Sequence, residues 1–173
     1  MTQHVPAKRA FLKGNFHARA ALRPFGAIAP GAFEEACTQC GACARACPEA
    51  IIYRDSDGLP VLNFQAGECT FCAACIEVCD PQALQMEQPW NWQAVIGQNC
   101  MSLNGIACRA CEDHCDARAI RFRLETGGRA TPSIDPASCT GCGACAAPCP
   151  SNAISFALPA TDTTPAHDGG HPC

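Results

Sequence analysis

Sixteen of the seventeen cysteines in this 173-residue chain fall into four groups of four. Three groups share one spacing: Cys37-x2-Cys40-x2-Cys43-x3-Cys47, Cys69-x2-Cys72-x2-Cys75-x3-Cys79 and Cys139-x2-Cys142-x2-Cys145-x3-Cys149. The remaining group stretches its first interval, as Cys100-x7-Cys108-x2-Cys111-x3-Cys115. Proline follows at once in two groups, as Pro48 and Pro150, and one residue later in another, as Pro81. Thiols at this density can cross-link, hold single metal ions, or bind iron–sulfur clusters. A disulfide framework has no reason to repeat intervals of two, two and three residues. Zinc sites pair two knuckles and leave the middle cysteine of each run unexplained, and a redox Cys-x-x-Cys pair does not come in fours.

Cluster chemistry does need the spacing. Three thiolates two residues apart wrap a tight loop around one corner of a cubane, and Gly41 and Gly143 let the backbone turn and approach closely. The fourth cysteine, entering a short helix, points away, and the proline after it fixes the chain direction. These runs resemble those of bacterial ferredoxins that carry 4Fe-4S clusters. In two-cluster ferredoxins the fourth cysteine serves the other cluster of the pair. That resemblance implies four crossed sets: set I, Cys37, Cys40, Cys43 and Cys79; set II, Cys69, Cys72, Cys75 and Cys47; set III, Cys100, Cys108, Cys111 and Cys149; and set IV, Cys139, Cys142, Cys145 and Cys115. Cys47 to Cys69 spans 22 residues and Cys115 to Cys139 spans 24, as expected of two equivalent halves. Set III rests on the loop from Met101 to Ala107, where Asn104-Gly105 is a turn signal that can bring the chain back. A displaced first ligand is also compatible with an empty, labile or three-iron site. Three or four clusters are therefore expected, four if all sixteen thiolates are used.

The composition needs such a centre. Hydrophobic residues make up 48% of the chain, but Leu, Ile, Val and Phe together supply only about 17%, the rest being largely Ala and Cys. So little large aliphatic surface builds a weak core, and small domains of this kind depend on staples. Disulfide staples would require export. The segment Lys8-Arg9-Ala10-Phe11-Leu12-Lys13 is similar to a degenerate twin-arginine box, but the stretch that should be apolar, Gly14 to Phe25, contains His17, Arg19 and Arg23. Nothing apolar precedes Ala27-Ile28-Ala29 either, so the arm reads as retained and the protein as cytoplasmic, with no membrane span.

The elements between the cysteines repeat. Residues 50–54 and 60–64 flank the turn Asp55-Ser56-Asp57-Gly58 as a β-hairpin, and Ile120 to Leu124, Gly127-Gly128 and Thr131 to Ile134 make another. Short strands are expected at Ala83–Met86 and Ala153–Phe156. The fold class is α+β: two tandem bacterial dicluster-ferredoxin-like units of short strands and one-turn helices around iron–sulfur clusters. The organisation reads as a basic arm (1–30), a first unit (31–87), an aromatic linker (88–97), a second unit (98–158) and a disordered tail (159–173). Trp90 and Trp92 in the linker read as cover for the seam between units rather than as a docking patch. Cys173, near His167 and His171, reads as an exposed residue, and His114 as a solvated side chain.

Charge is unevenly distributed. Residues 1–36 carry five basic and two acidic side chains, net +3, and residues 37–173 carry seven and fourteen, net −7. Four oxidised clusters at about −2 each would take the core to roughly −15. Such a core disfavours nucleic acid. The chain contains no phosphate loop, dinucleotide fingerprint, metalloprotease helix or nucleophile elbow. With iron fully ligated by sulfur there is no open position for a substrate, so the candidates are an electron carrier or an assembly factor rather than an enzyme.

The layout over residues 7–158 resembles one family. A basic-Phe-Leu-Lys-Gly start, two regular groups, an aromatic linker, a third group with the x7 departure and a regular fourth group are similar to the NapF-type ferredoxins of periplasmic nitrate reductase systems. The resemblance implies a cytoplasmic accessory protein whose sixteen cysteines bind the clusters. It also implies a partner, the molybdenum and iron–sulfur catalytic subunit NapA, matured before its export. The alternative is a polyferredoxin relay passing single electrons to a reductase. The arm lacks the family's paired arginine.

Overall fold

The computed structural model describes residues 21–127 and 129–159. The Lys8–Lys13 segment, His167, His171 and Cys173 lie outside them, as do Gly128 and most of the 159–173 tail. No helix among the described residues is long and apolar enough to cross a membrane.

Each half is assembled from a hairpin and a closing pair. In the first half, β1 (Ile52–Arg54) pairs antiparallel with β2 (Pro60–Leu62), Ile52 opposite Leu62. The Asp55 side chain builds the connecting turn, accepting backbone N–H bonds from Asp57 and Leu59 at 2.9 Å each. Further on, β3 (Gln93–Ile96) opens the second half, whose hairpin joins β4 (Ile120–Leu124) to β5 (Ala130–Ile134). The last strand, β6 (Ile154–Ala157), pairs antiparallel with β3. The first half closes in the equivalent place with a single bridge, Ala27 to Leu84, so the strand expected at Ala83–Met86 shrinks to one residue. Pro24 and Pro30 flank the partner segment and lack the N–H groups a longer ladder needs.

Two boundaries differ from the sequence reading. Residues 21–30, expected as the end of a separate arm, are built into the first unit. Arg23 pairs with Asp55 at 2.7 Å and lies over the Phe33 ring, and the Leu22 carbonyl accepts the Leu62 N–H. The 88–97 stretch is only partly a linker, because β3 belongs to the second unit's closing pair.

The helices are short and each adjoins a cysteine. α1 (Pro30–Ala36) starts on proline, whose fixed φ suits a first helical position, and buries Phe33. The remaining three, α2 (Ala42–Ala46), α3 (Ala74–Glu77) and α4 (Ala110–Asp113), are about one turn each. Large aliphatics are few, so the main core runs continuously through both units: Ile51, Ile52, Leu62 and Phe64 meet Ala94, Ile120, Ala146 and Ile154. A smaller cluster of Phe33, Leu59, Ala83 and Leu84 sits in the first unit.

The seam is aromatic. Phe64 stacks edge-on to Phe156 with centroids 4.7 Å apart. Trp90 meets Phe25 and Phe71 of the first unit edge-on and donates its indole N–H to the Thr140 carbonyl of the second at 3.0 Å. Trp90 therefore covers the seam, and Trp92 adjoins it through its backbone carbonyl, which lies over Gly141. Gly143 has φ +94°, and a Cβ there would fall 2.2 Å from the Phe64 ring.

Gly143→Ala is expected to cost about 2–4 kcal/mol, from left-handed strain plus overpacking. Most of the overpacking component should return when Phe64→Leu is added. Gly31→Ala in α1, where a Cβ meets nothing within 4 Å, is expected to be neutral or mildly stabilising. Denaturant melts of the four proteins check this, and equal losses from Gly31→Ala and Gly143→Ala would contradict it.

Candidate cluster sites

One turn recurs after the last cysteine of every group. The residue three positions on donates its N–H to that cysteine's carbonyl: Ala50 to Cys47 at 3.1 Å, Gln82 to Cys79 at 2.9 Å, Arg118 to Cys115 at 2.8 Å and Asn152 to Cys149 at 3.1 Å. All four donors hold positive φ, between 49° and 55°. Only Asn152 is a type that favours this region, so nothing in the other three residues announces the turn. It aims the next N–H at sulfur: Ala119 donates to Cys115 Sγ at 3.3 Å and Ala153 to Cys149 Sγ at 3.2 Å.

A second repeated device brackets the middle cysteine of the three regular groups. Gln39 and Gly41 flank Cys40, Phe71 and Ala73 flank Cys72, and Gly141 and Gly143 flank Cys142, all with φ between 54° and 94°. The paired left-handed residues curl the loop so that its thiols face one space. The Cys100 group lacks the bracket and is held otherwise. Ser102, buried, donates its hydroxyl to the Ala130 carbonyl of β5, and the Asn104 amide bonds the Gln98 and Cys100 carbonyls at 2.9 and 2.8 Å.

These turns bring the cysteines together in crossed combinations. One cavity is lined by Cys37, Cys40, Cys43 and Cys79, the members of set I. A second is lined by Cys47, Cys69, Cys72 and Cys75, set II, and a third by Cys115, Cys139, Cys142 and Cys145, set IV. For set III, burial pushes the Cys111 thiol up to about 11, helped by the charges of Cys100, Cys149 and Cys108. His114 lies exposed, its Nδ1 2.9 Å from the Ala110 carbonyl.

The donor chemistry fits a four-iron cluster. The sixteen thiols are unbridged. Twelve of them, those of sets I, II and IV, line mainly apolar cavities, and among the described residues no three cysteine, histidine or carboxylate groups converge on one point at single-ion distance. Burial, then neighbouring thiolates, pushes Cys75 and Cys145 up to about 12. Cys43 and Cys69 are raised for the same reasons, burial first. Cys40 is lowered, chiefly by the Ala42 N–H. At Cys149 burial is outweighed by hydrogen bonds from Ala153 and Ser151.

Comparison with known proteins agrees with this chemistry. The 4Fe-4S dicluster domain family matches residues 36–83 and again 106–153. A Ferredoxin-type protein NapF of Escherichia coli strain K12 is 37% identical over 153 residues, covering 86% of this chain and 93% of its own length. The chain belongs to the NapF family of ferredoxin-type proteins. The Haemophilus influenzae member is 38% identical over 169 residues, covering 90% of this chain and 96% of its own. The Ferredoxin-type protein NapG of E. coli is 33% identical over 151 residues, 74% of this chain and 65% of its own. As a family member the chain carries two dicluster domains, with cysteines for up to four 4Fe-4S clusters. Cys100 falls outside the second matched segment, in the loop that Ser102 anchors to the Ala130 carbonyl.

Two outcomes follow. Cys47→Ser is expected to damage the cluster shared with Cys69, Cys72 and Cys75 and leave the one at Cys37 largely intact, read by iron content and EPR of the reduced protein. Loss confined to the Cys37 site would contradict the crossing. Each thiol sheds its proton on taking iron, and the buried thiols hold theirs tightly. Cluster retention against a chelator should therefore weaken steadily as pH falls from about 8 to about 5. Visible absorbance checks this, and greater retention at low pH would contradict it.

Proposed function

We propose that this chain is a cytoplasmic polyferredoxin whose sixteen cysteines, in crossed sets I to IV, bind up to four 4Fe-4S clusters. We further propose that it is a non-enzymatic accessory that assists maturation of NapA, the catalytic subunit of periplasmic nitrate reductase, before that subunit is exported. The observation that carries the reading is whole-length kinship to NapF ferredoxin-type proteins together with thiols gathered four to a site. When bound, the clusters supply one-electron chemistry at low, tunable potential.

The chain's own residues do the rest. The bracketing left-handed residues orient the thiols, Ala119 and Ala153 direct N–H groups at sulfur, and Phe33, Phe71 and Phe156 wall the set I, II and IV sites with apolar surface. Sulfur hydrogen bonds and burial are levers that set cluster potential. Four thiols per set leave no coordination position for a substrate, which supports a carrier or assembly role over catalysis.

A second reading is favoured by the seam, where the loops of sets II and IV touch through a backbone hydrogen bond from Cys69 to Cys142 at 2.7 Å. Such continuity suits a one-electron relay donating to a reductase.

One experiment separates the readings: purify NapA from cells with and without this chain, and assay its cluster content and its activity with an artificial electron donor. Maturation predicts a subunit without cluster, inactive even with that donor, when the chain is missing. A fully loaded subunit, active with the artificial donor but starved of physiological electrons, would overturn maturation in favour of the relay.

A further inference from the structure

Several contacts between the two units surround the loops of sets II and IV. Cys69, in the loop lining the set II cavity, bonds Cys142, in the loop lining the set IV cavity. Phe64 lies against Gly143 beside Cys142 and stacks on Phe156, which lines the set IV cavity. Phe25 and Phe71 line the set II cavity, and Trp90 ties them to Thr140 of the set IV loop. An open acidic groove crosses the same seam. It is lined by Glu49 and Glu68, beside set II cysteines, and by Asp113 and Asp116, beside Cys115.

Within each unit the sets adjoin in pairs. α2 carries Cys43 of set I and ends at Cys47 of set II, and it packs against α3, which carries Cys75 of set II and ends just before Cys79 of set I. In the second unit the same crossing exchanges Cys115 and Cys149, and Cys111 and Cys149 of set III pack against the same buried cluster as Cys115, Cys139 and Cys145 of set IV.

We infer that the four thiol sets stand in single file in the order I, II, IV, III, so that an electron path crosses between units at the Cys69–Cys142 contact and ends at sets I and III. Spatial order then differs from chain order, and the irregular Cys100 loop belongs to one terminus. Both termini show exposed apolar side chains. Tyr53 and Val78, 48% and 38% exposed, line the set I cavity. Ile106 and Leu124, 52% and 77% exposed, share a cavity with Cys108 of set III. One electron enters from a one-electron donor protein at one terminus and leaves to a one-electron acceptor protein at the other, with no bond made or broken. The inference rests on the cluster reading, and its test separates the two.

Two anaerobically reconstituted variants are reduced with dithionite and compared by iron count and EPR, since neighbouring reduced clusters broaden and split each other's signals. The first, Cys37→Ser, Cys40→Ser, Cys100→Ser, Cys108→Ser, keeps sets II and IV. The second, Cys69→Ser, Cys72→Ser, Cys139→Ser, Cys142→Ser, keeps sets I and III. Magnetic coupling is expected in the first and isolated-cluster spectra in the second. The reverse pattern would overturn the order. Should neither variant hold iron, the intact chain decides: Phe64→Ala is expected to weaken the coupled part of the spectrum at unchanged iron content, and an unchanged spectrum overturns the order. An intact chain that takes up no iron would instead overturn the cluster reading itself.

Discussion

Buried sulfur charge is the constraint from which the architecture follows. Sets I, II and IV each face their thiols into one largely apolar space. Such a group of four cannot stay ionised without a cation, because burial and mutual repulsion hold the protons on. Cys75 and Cys145, pushed to about 12, show the size of that effect at the sites nearest the seam. Iron removes the penalty, so cluster binding and folding are coupled, as expected for a metallo-domain with few aliphatic residues. The continuous core of Ile51, Phe64, Ile120 and Ile154 is built around the sulfur sites rather than apart from them.

The backbone bears a cost for this arrangement. Seven non-glycine residues among those described hold positive φ, at about 1–2 kcal/mol each. Four of them form the same turn after the last cysteine of each group, and the others bracket middle cysteines. Strain repeated at equivalent positions is positional, serving to aim thiols and N–H groups at a common point. The difference between Ala73 and Gly143 makes this concrete. Both are left-handed at equivalent loop positions, but a Cβ at 143 would run into the Phe64 ring, so the residue there is set by contact between units as well as by the turn.

Much of this was legible in the sequence because spacing is geometry. The intervals of two, two and three residues, together with the ferredoxin resemblance, yield groupings that coincide with the cysteines lining three cavities and with those surrounding Cys111. The hairpin at Ile120–Leu124 could be read from its alternation, and that at 52–62 from Asp55 to Gly58. The left-handed turns could not, because Ala50, Gln82 and Arg118 are ordinary residues forced into place by the sulfur on one side and the core on the other. The partnership of β3 with β6 was hidden because the pattern Gln93-Ala94-Val95-Ile96 is too short to distinguish a strand from a connector. The integration of residues 21–30 rests on Arg23 and Asp55, a pair 32 positions apart that only folding reveals.

A file of thiol sets, closed at the seam by aromatic packing and with exposed apolar side chains at both ends, suits the proposed role of exchanging electrons or meeting a client. All of this depends on the cysteines holding clusters. The most direct measurement is iron, acid-labile sulfide and zinc per chain in protein purified without oxygen. The account predicts about sixteen iron and sixteen sulfide per chain with negligible zinc. Stoichiometric zinc, or no more than about eight iron, would contradict it.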